Sequence, residues 1–275
     1  MQPGIFAKTF AGSDPQTVLE AARNAGYATV QYNMACSGLP SLPGVIDDAV
    51  AQAIAQASAR TGVGIAALSA TYNMIHPDLP TREAGRASFA ALAAAAPRIG
   101  TRLLTVCTGS RDAADQWRHH PENDSPAAWQ DLIAEFRLLL PIAEQYDLVI
   151  GVEPELGNVV CSAAKARQLL DLFASDRIAI VLDPANLFEV APPEQRKALV
   201  SEAVALLKGD ITLAHAKDRH ADGSFATAGD GVIDFPHFIA ALRGSGFDGP
   251  LVTHGLAAAD AARVASFLKA SGALS

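Results

Sequence analysis

The sequence is poor in cysteine, in positive charge and in long apolar runs. Its three cysteines, Cys36, Cys107 and Cys161, are widely spaced and form no C-x-x-C pair, which favours reduced thiols over a disulfide framework. The net charge of −8 argues against nucleic acid or an anionic membrane surface as a partner, because both attract basic patches. No apolar run is long enough to span a bilayer, and no segment has the form of a signal peptide. We therefore expect a cytoplasmic protein.

What is present is a regular alternation of strand-like apolar runs with helix-like segments. Eight of each are predicted along 275 residues, half of which are hydrophobic, with no linker between them. This count and length are typical of a single (β/α)8 TIM barrel, which we predict over residues 1–275. A doubly wound open sheet is the alternative, but the first predicted strand, 5–9, is followed by FAGSDP and not by G-x-G-x-x-G. A dinucleotide cofactor is therefore not expected.

Proline and loop length mark two further features of the chain. The helix predicted over 81–96 is expected to end at Pro97, and Pro141 predicts a kink or an early stop in the helix predicted over 127–146. The longest predicted loop, 108–126, follows the fourth strand. A loop of that length inside a compact domain is usually functional or mobile.

Three apolar runs each end in a polar side chain that can bind a metal. Glu153, Asp183 and His215 are separated by 30 and 32 residues, about the length of one strand–helix unit. Because the carboxyl ends of parallel strands share one edge, these side chains are expected to converge, and His254 completes a set of two carboxylates and two imidazoles. Such mixed oxygen and nitrogen donors predict a divalent metal site, with Mn²⁺ as first choice and Co²⁺, Zn²⁺, Fe²⁺ or Mg²⁺ as alternatives.

Each of these residues also has a structural alternative. Glu153 is balanced equally well by a salt bridge to Lys217 or Arg219, and Asp183 is suited to capping an Asp-Pro turn. A single histidine at a strand end, such as His215, is more often only hydrogen-bonded. Cys107 is expected to be a small buried hydrophobe rather than a ligand. Other polar residues expected at the mouth of the barrel are Lys8, Asn33, Ser69, Tyr72 and His76.

Four segments carry a resemblance to a known family. They are GVEPE, VLDPANLF, HAKD and GDGVIDFPHFIAALRGSGFDGPL, at predicted strands five, six, seven and before strand eight. Together they resemble the sugar phosphate isomerase/epimerase family, also called the xylose isomerase-like TIM barrel family. The resemblance implies metal-ligand roles for Glu153, Asp183 and His215, and it makes a homo-oligomer an expectation.

The sequence departs from that family at two positions. The fourth ligand in the ketose 3-epimerase-like and inosose-isomerase-like members is a second glutamate at the end of strand eight, where this chain has His254. The family's usual substrate-contacting histidine after the strand-six aspartate is also missing, and Asn186 stands near that place. Either an imidazole takes over the acid–base work of the glutamate, or the reaction needs only one base.

The expected activity is metal-dependent isomerisation or epimerisation of a sugar or keto-sugar through an enediolate, with Glu153 or His254 moving the proton. The residues expected to bind the carbohydrate substrate or neutralise an acid or phosphate group on it are Lys8, His76, Arg111, Asn186 and Lys217. β-Elimination from a keto-sugar or keto-glycoside is the first alternative, and a catalytically altered sugar-binding homologue is the second. An endonuclease of the same family fits poorly, because it requires many histidines and a cationic groove.

Overall fold

Eight parallel strands form a closed barrel in the computed structural model, which describes residues 1–272. The barrel strands are β1 (Gln2–Phe6), β2 (Thr29–Tyr32), β3 (Gly64–Ser69), β4 (Leu103–Cys107), β5 (Val149–Glu153), β6 (Ile178–Leu182), β7 (Ile211–Ala216) and β10 (Pro250–Thr253). Strand β10 closes the ring by pairing with both β7 and β1. An antiparallel hairpin of β8 (Asp218–Arg219) and β9 (Phe225–Ala226) directly follows β7.

Eight α-helices alternate with these strands within residues 1–272. They are α1 (Pro15–Asn24), α2 (Asp48–Thr61), α3 (Leu79–Ile99), α4 (Pro126–Gln145), α5 (Ala163–Phe173), α6 (Pro193–Leu206), α7 (Phe235–Gly244) and α8 (Ala261–Ala270). The predicted (β/α)8 TIM barrel is therefore confirmed. In the described part of the chain, no helix combines the length and the apolar character needed to cross a membrane.

Barrel strands are buried on both faces. Strands β2 and β4 contain no exposed residue, as is typical of parallel strands that are covered by helices on the outside and by side chains on the inside. A separate small cluster from five strands packs away from the helices and fills the inside of the barrel. Its members are Ala67, Leu103, Val181, Leu213 and Val252.

The helix end predicted at Pro97 and the early stop considered at Pro141 were wrong. Helix α3 continues through Pro97 to Ile99, and α4 continues past Pro141 to Gln145. Both prolines lie on the exposed face of their helix. The next turn of each helix is held against the barrel by a buried residue, Ile99 in α3 and Ala143 in α4.

The first strand is displaced toward the N-terminus from its predicted position. Its register pairs Gln2 with Pro250 and Ile5 with Thr253, so β1 ends at Phe6 and not at residue 9. Residues Ala7–Thr9 form a 3-10 turn instead. Lys8 is exposed on this turn and is not the final residue of a strand facing the barrel mouth.

Candidate metal centre

Four polar side chains converge where neighbouring strands end. Glu153 ends β5, Asp183 directly follows β6, His215 is the penultimate residue of β7, and His254 directly follows β10. One potential ligand atom from each of the four lies within 4.8 Å of the others. The parallel register of four adjacent strands explains this convergence, because it brings their carboxyl ends to one edge. We call this group the four-residue cluster.

The two carboxylates of the cluster are buried without a strong cationic partner. Glu153 is 7 % exposed and Asp183 is 1 % exposed. In residues 1–272, their ion-pair partners within 4.0 Å are histidines only, and the alternative salt bridge from Glu153 to Lys217 or Arg219 is not formed. Two buried carboxylates in contact with imidazoles and amides are costly to keep ionised, and a cation between them removes that cost.

Asp183 has two separate tasks, one for each oxygen. Its Oδ1 accepts a hydrogen bond of 2.8 Å from the backbone N–H of Ala185, so the predicted capping of the Asp-Pro turn is present. Its Oδ2 lies 3.2 Å from Nε2 of His254 and 4.0 Å from Nδ1 of His215. The structural alternative and a ligand role are therefore compatible, because they use different atoms.

Gln31 determines which nitrogen of His215 faces the cluster. The amide nitrogen of Gln31 donates to Oγ1 of Thr105 at 3.0 Å, so its Oε1 is the atom that meets Nε2 of His215 at 2.8 Å. Nε2 therefore carries a hydrogen, and Nδ1 points at Oε1 of Glu153 from 2.9 Å. A lone pair on Nδ1 facing a carboxylate is repulsive unless a proton or a metal ion lies between them.

The pKa values of the cluster show that it attracts positive charge. Burial favours the neutral form of Asp183, but the hydrogen bond from His254 and the charges of both imidazoles hold its pKa below the usual value. Burial opposes protonation of His215, yet the neighbouring Glu153 carboxylate raises its pKa. Burial and the positive charge of His215 lower the pKa of His254. The pKa shifts of Asp183 and His215 are those of a site that favours positive charge beside its carboxylates.

These observations fit a divalent metal ion. Two carboxylate oxygens and two imidazole nitrogens are the donors that Mn²⁺, Zn²⁺, Fe²⁺ and Co²⁺ accept in proteins, and four protein ligands are compatible with further positions for substrate. Nδ1 of His215 is already oriented from behind by Gln31. Such outer hydrogen bonds are usual at metal sites, where they fix the ring and raise its basicity.

The cluster opens into a large cavity. Glu153, His215 and His254 line a space of about 880 Å³, together with Gln31 and Cys107. The thiol of Cys107 lies 3.8 Å from Oε2 of Glu153. Burial, followed by the charge of Glu153, raises the pKa of this thiol, and Cys107 is buried, as expected.

Two of the five predicted substrate-binding residues lie at or beside this cavity. Lys217 lines it. Asn186 is buried and donates to Oε1 of Glu153 at 3.1 Å, but it does not reach the cavity wall. Its own Oδ1 has no hydrogen-bond partner among the described residues. Asn186 therefore supports Glu153 in the structure, and direct contact with substrate stays a prediction.

The structure places the other three elsewhere. Lys8 is exposed on the turn after β1. Arg111 is paired at 2.6 Å with Asp131, a carboxylate that it shares with Arg82, and also donates to a backbone carbonyl. His76 faces a different cavity and bonds to Ala113 O and Asp78 N–H. These residues follow strands in sequence, but none of the three lines the cavity at the barrel mouth.

Several wall residues were missed by sequence reasoning. Glu155, the second carboxylate of the E-P-E segment, lines the cavity and is half-buried; burial and the charges of Glu153 and Asp183 raise its pKa to about 8. The E-P-E repeat itself was the signal for it. Gln31 and Arg219 also line the cavity, and a single polar residue inside an apolar strand, as in TVQY, was the only sign of Gln31.

Asp218 of the HAKD segment has a structural role. Its carboxylate is fully buried and accepts hydrogen bonds from four backbone N–H groups. The donors belong to Arg219, Gly229, Gly231 and Ile233. Asp218 thereby folds the segment after β7 around itself, which places Arg219 and the β8–β9 hairpin beside the cavity.

The long loop 108–126 is an ordered wall of the cavity. Three asparagines from different segments hold its backbone: Asn73 donates to Ser110 O at 2.7 Å, Asn123 to Gly157 O at 2.9 Å, and Asn158 to Gln116 O at 2.9 Å. All three amide oxygens also accept from backbone N–H groups of this loop, those of Gly109, Ser110 and Arg111. The residues of this loop that line the cavity are Trp117 and His119, and Trp117 also borders the neighbouring cavity that His76 faces.

Comparison with known proteins agrees with this architecture. A family model described as xylose isomerase-like TIM barrel matches residues 19–270. The search of curated proteins finds no match. A solved 3-keto-D-glucoside 4-epimerase from E. coli is 15 % identical with a TM-score of 0.79, over 98 % of this chain and 99 % of that chain.

Two other solved structures are similar. An L-ribulose 3-epimerase is 18 % identical, with a TM-score of 0.74 over 98 % of this chain and 92 % of that chain. The IOLI protein, described with a bound zinc atom, is 17 % identical, with a TM-score of 0.72 over 99 % of this chain and 98 % of that chain. At these identities the similarity establishes a shared fold.

Proposed function

The chain belongs to the xylose isomerase-like TIM barrel family, and we propose that it is a metal-dependent isomerase or epimerase of a sugar or keto-sugar. The observation that carries this proposal is the four-residue cluster: four donor atoms within 4.8 Å of one another, beside a cavity of about 880 Å³. Such a group at the carboxyl ends of barrel strands lies where TIM-barrel enzymes place their active sites.

Glu153, Asp183, His215 and His254 are the proposed metal ligands, and Mn²⁺ remains the first choice among the divalent cations. When bound, such an ion stabilises the negative charge that develops on oxygen as a proton leaves the carbon beside a carbonyl group. The chain's own contribution is to hold the donors in place: Gln31 orients His215, and Asn186 orients Glu153.

Glu153 and His254 are the proposed proton carriers. Both line the cavity, and the side chain of His254 remains 20 % exposed to it. Burial and the positive charge of His215 lower the pKa of His254, and the neutral imidazole is the form that accepts a proton. Glu155 adds a third carboxyl group to the cavity wall without belonging to the four-residue cluster. It lies beside Glu153 and Cys107, with one potential ligand atom of each within 4.8 Å of the others.

A carbohydrate substrate is supported by the names of structurally similar proteins, which include a keto-glucoside epimerase and an L-ribulose epimerase. Lys217 is the cation that we propose to contact the substrate, because it lines the cavity and lacks a carboxylate partner within 4.0 Å in residues 1–272. The cytoplasmic location and a homo-oligomer stay predictions.

The test is hydrogen exchange with solvent. Metal-free protein is reloaded with Mn²⁺ and incubated in D₂O with ketoses and with 3-keto-glycosides, and deuterium at carbon is followed by NMR. We expect deuterium uptake that Asp183→Asn and Glu153→Gln abolish, while Asp171→Asn, an exposed carboxylate on α5, leaves it unchanged. Full activity in both cluster variants removes these residues from the mechanism.

The same experiment separates the alternatives. Uptake with retention of every substituent indicates isomerisation or epimerisation, whereas release of an aglycone or of water indicates a lyase. The cavity volume gives the lyase alternative specific support, because β-elimination needs room for a leaving group. Tight metal binding without exchange across the sugar panel points to a sugar-binding homologue.

A further inference from the structure

The cavity beside the four-residue cluster is too large for one sugar ring. A hexose has about twelve non-hydrogen atoms, and at the roughly 30 Å³ that a water molecule occupies in the liquid it needs no more than about 360 Å³. The cavity measures about 880 Å³, near the upper end of the roughly 300–1,000 Å³ typical of pockets for larger ligands. More than half of it therefore remains for another part of the substrate.

Two half-exposed aromatic side chains line this cavity. Trp117 of the long loop is 50 % exposed and Phe225 of the hairpin is 51 % exposed. Large apolar side chains left open in a concave site mark a ligand contact more often than chance. The two belong to loops after different strands, β4 and β7, so they approach the mouth from separate sides of the ring.

Phe225 is already covered by cations. The Lys217 ammonium lies 3.2 Å from its ring centroid, and the Arg219 guanidinium carbon lies 4.2 Å from it. These contacts satisfy the ring within the protein. Trp117 has no comparable aromatic or cationic partner among the described residues, so its indole is the aromatic surface that remains open to a ligand.

The position of Trp117 is fixed by the protein before any ligand binds. The backbone N–H of Trp117 donates to Oδ1 of Asp115 at 2.9 Å, and the amide of Asn158 donates to the backbone carbonyl of the preceding residue, Gln116. Gly157 packs so closely against the Trp117 carbonyl that a Cβ there would displace it. These contacts order the backbone that carries the indole, so that backbone loses little conformational entropy when a ligand binds.

We propose that the substrate is a two-part molecule, a keto-sugar carrying a second ring, and that this second ring packs against Trp117 while the sugar lies at the four-residue cluster. The inference rests on the proposed function for the sugar end only. It assigns Trp117 as the residue that distinguishes a glycoside from a free sugar.

A fluorescence titration tests this binding without turnover. The chain has two tryptophans, and Trp129 lies on α4 beneath Lys165, outside this cavity. Trp129→Phe therefore leaves Trp117 as the only indole. We expect its emission in the Mn²⁺-loaded protein to change saturably with phenyl 3-keto-glucoside and to stay constant with 3-keto-glucose. If the emission does not change with the glycoside, or changes equally with both sugars, the inference is overturned.

Kinetics give the second measurement. In Trp117→Ala we expect kcat/KM for phenyl 3-keto-glucoside to fall on the order of ten-fold relative to that for 3-keto-glucose, about 1.4 kcal/mol, with partial recovery in Trp117→Phe. An equal fall for both sugars overturns the inference and assigns Trp117 a structural role. Absence of deuterium uptake from either sugar contradicts the proposed function instead, and the fluorescence response then still decides whether the second ring binds.

Discussion

Replacing Gln31 is expected to weaken the metal site although Gln31 is not a ligand. In Gln31→Leu, Nε2 of His215 loses its acceptor at 2.8 Å, and a buried N–H is left without a partner. The ring is then free to rotate or to change tautomer, so Nδ1 no longer faces the site constantly. Removing such an outer hydrogen bond typically weakens metal affinity 10–100-fold, about 1.4–2.7 kcal/mol.

Two assays measure this loss. Calorimetric titration of the metal-free protein with Mn²⁺ gives the ratio of dissociation constants directly. Thermal unfolding gives it independently: Mn²⁺ at 100 times the wild-type Kd stabilises the wild type by about 2.7 kcal/mol, but a variant with 100-fold weaker binding by only about 0.4 kcal/mol. At roughly 2–4 °C per kcal/mol for a chain of this size, the wild-type Tm rises by about 5–11 °C and the variant Tm by about 1–2 °C.

Gln31→Glu is the matched control. It retains an oxygen acceptor for Nε2 of His215, and the hydroxyl of Thr105 can donate to its second oxygen, so we expect it to bind Mn²⁺ more tightly than Gln31→Leu does. If Gln31→Leu binds Mn²⁺ as tightly as the wild type, then His215 is not oriented by Gln31 or is not a ligand. Equal binding therefore refutes the geometry from which the prediction is drawn.

Three further predictions concern single carboxylates. Asp183→Asn retains the oxygen that caps the turn after β6, so elemental analysis should show loss of bound metal while the Tm of the metal-free protein changes little. Asp218→Ala leaves four backbone N–H groups without their acceptor, of which those of Arg219 and Ile233 are buried, and denaturant unfolding should report a loss of about 3 kcal/mol. Asp131→Ala should lower the free energy of unfolding by about 2 kcal/mol. This is less than the roughly 3–5 kcal/mol lost when a buried ion pair is broken, because Asp131 is partly exposed. Burial opposes ionisation of Asp131, but Arg111 and Arg82 lower its pKa; the wild type therefore loses this stabilisation as pH falls below about 4, a loss that Asp131→Asn should not show in acid unfolding.

The success of sequence reasoning at the cluster has a simple physical cause. The residues Glu153, Asp183 and His215 lie at the ends of apolar strands at intervals of one strand–helix unit. A parallel barrel brings the carboxyl ends of its strands to one edge, so these side chains meet. Where the outcome depended on loop paths, the same reasoning failed. Arg111 and His76 follow strands as well, yet one is paired with Asp131 and the other faces a separate cavity.

Pairing register and packing decided other points. A shift of the first strand by three residues moved Lys8 onto an exposed turn. Exposed faces allowed α3 and α4 to continue through their prolines. Gln31 gave little sign of its role in sequence, because its importance comes from Thr105 and His215, which are 74 and 184 residues away.

The order of strands, helices and strand-end polar residues was thus contained in the sequence, since periodicity and spacing are local properties of the chain. Which side chains orient the cluster, how large the cavity is and which aromatic surface stays open were decided only by the tertiary structure. These properties depend on contacts between distant segments and on the paths of loops after β3, β4 and β7. Hydrophobic patterning determines neither these contacts nor the loop paths, because loop paths follow from individual hydrogen bonds such as those of Asn158 and Asp218.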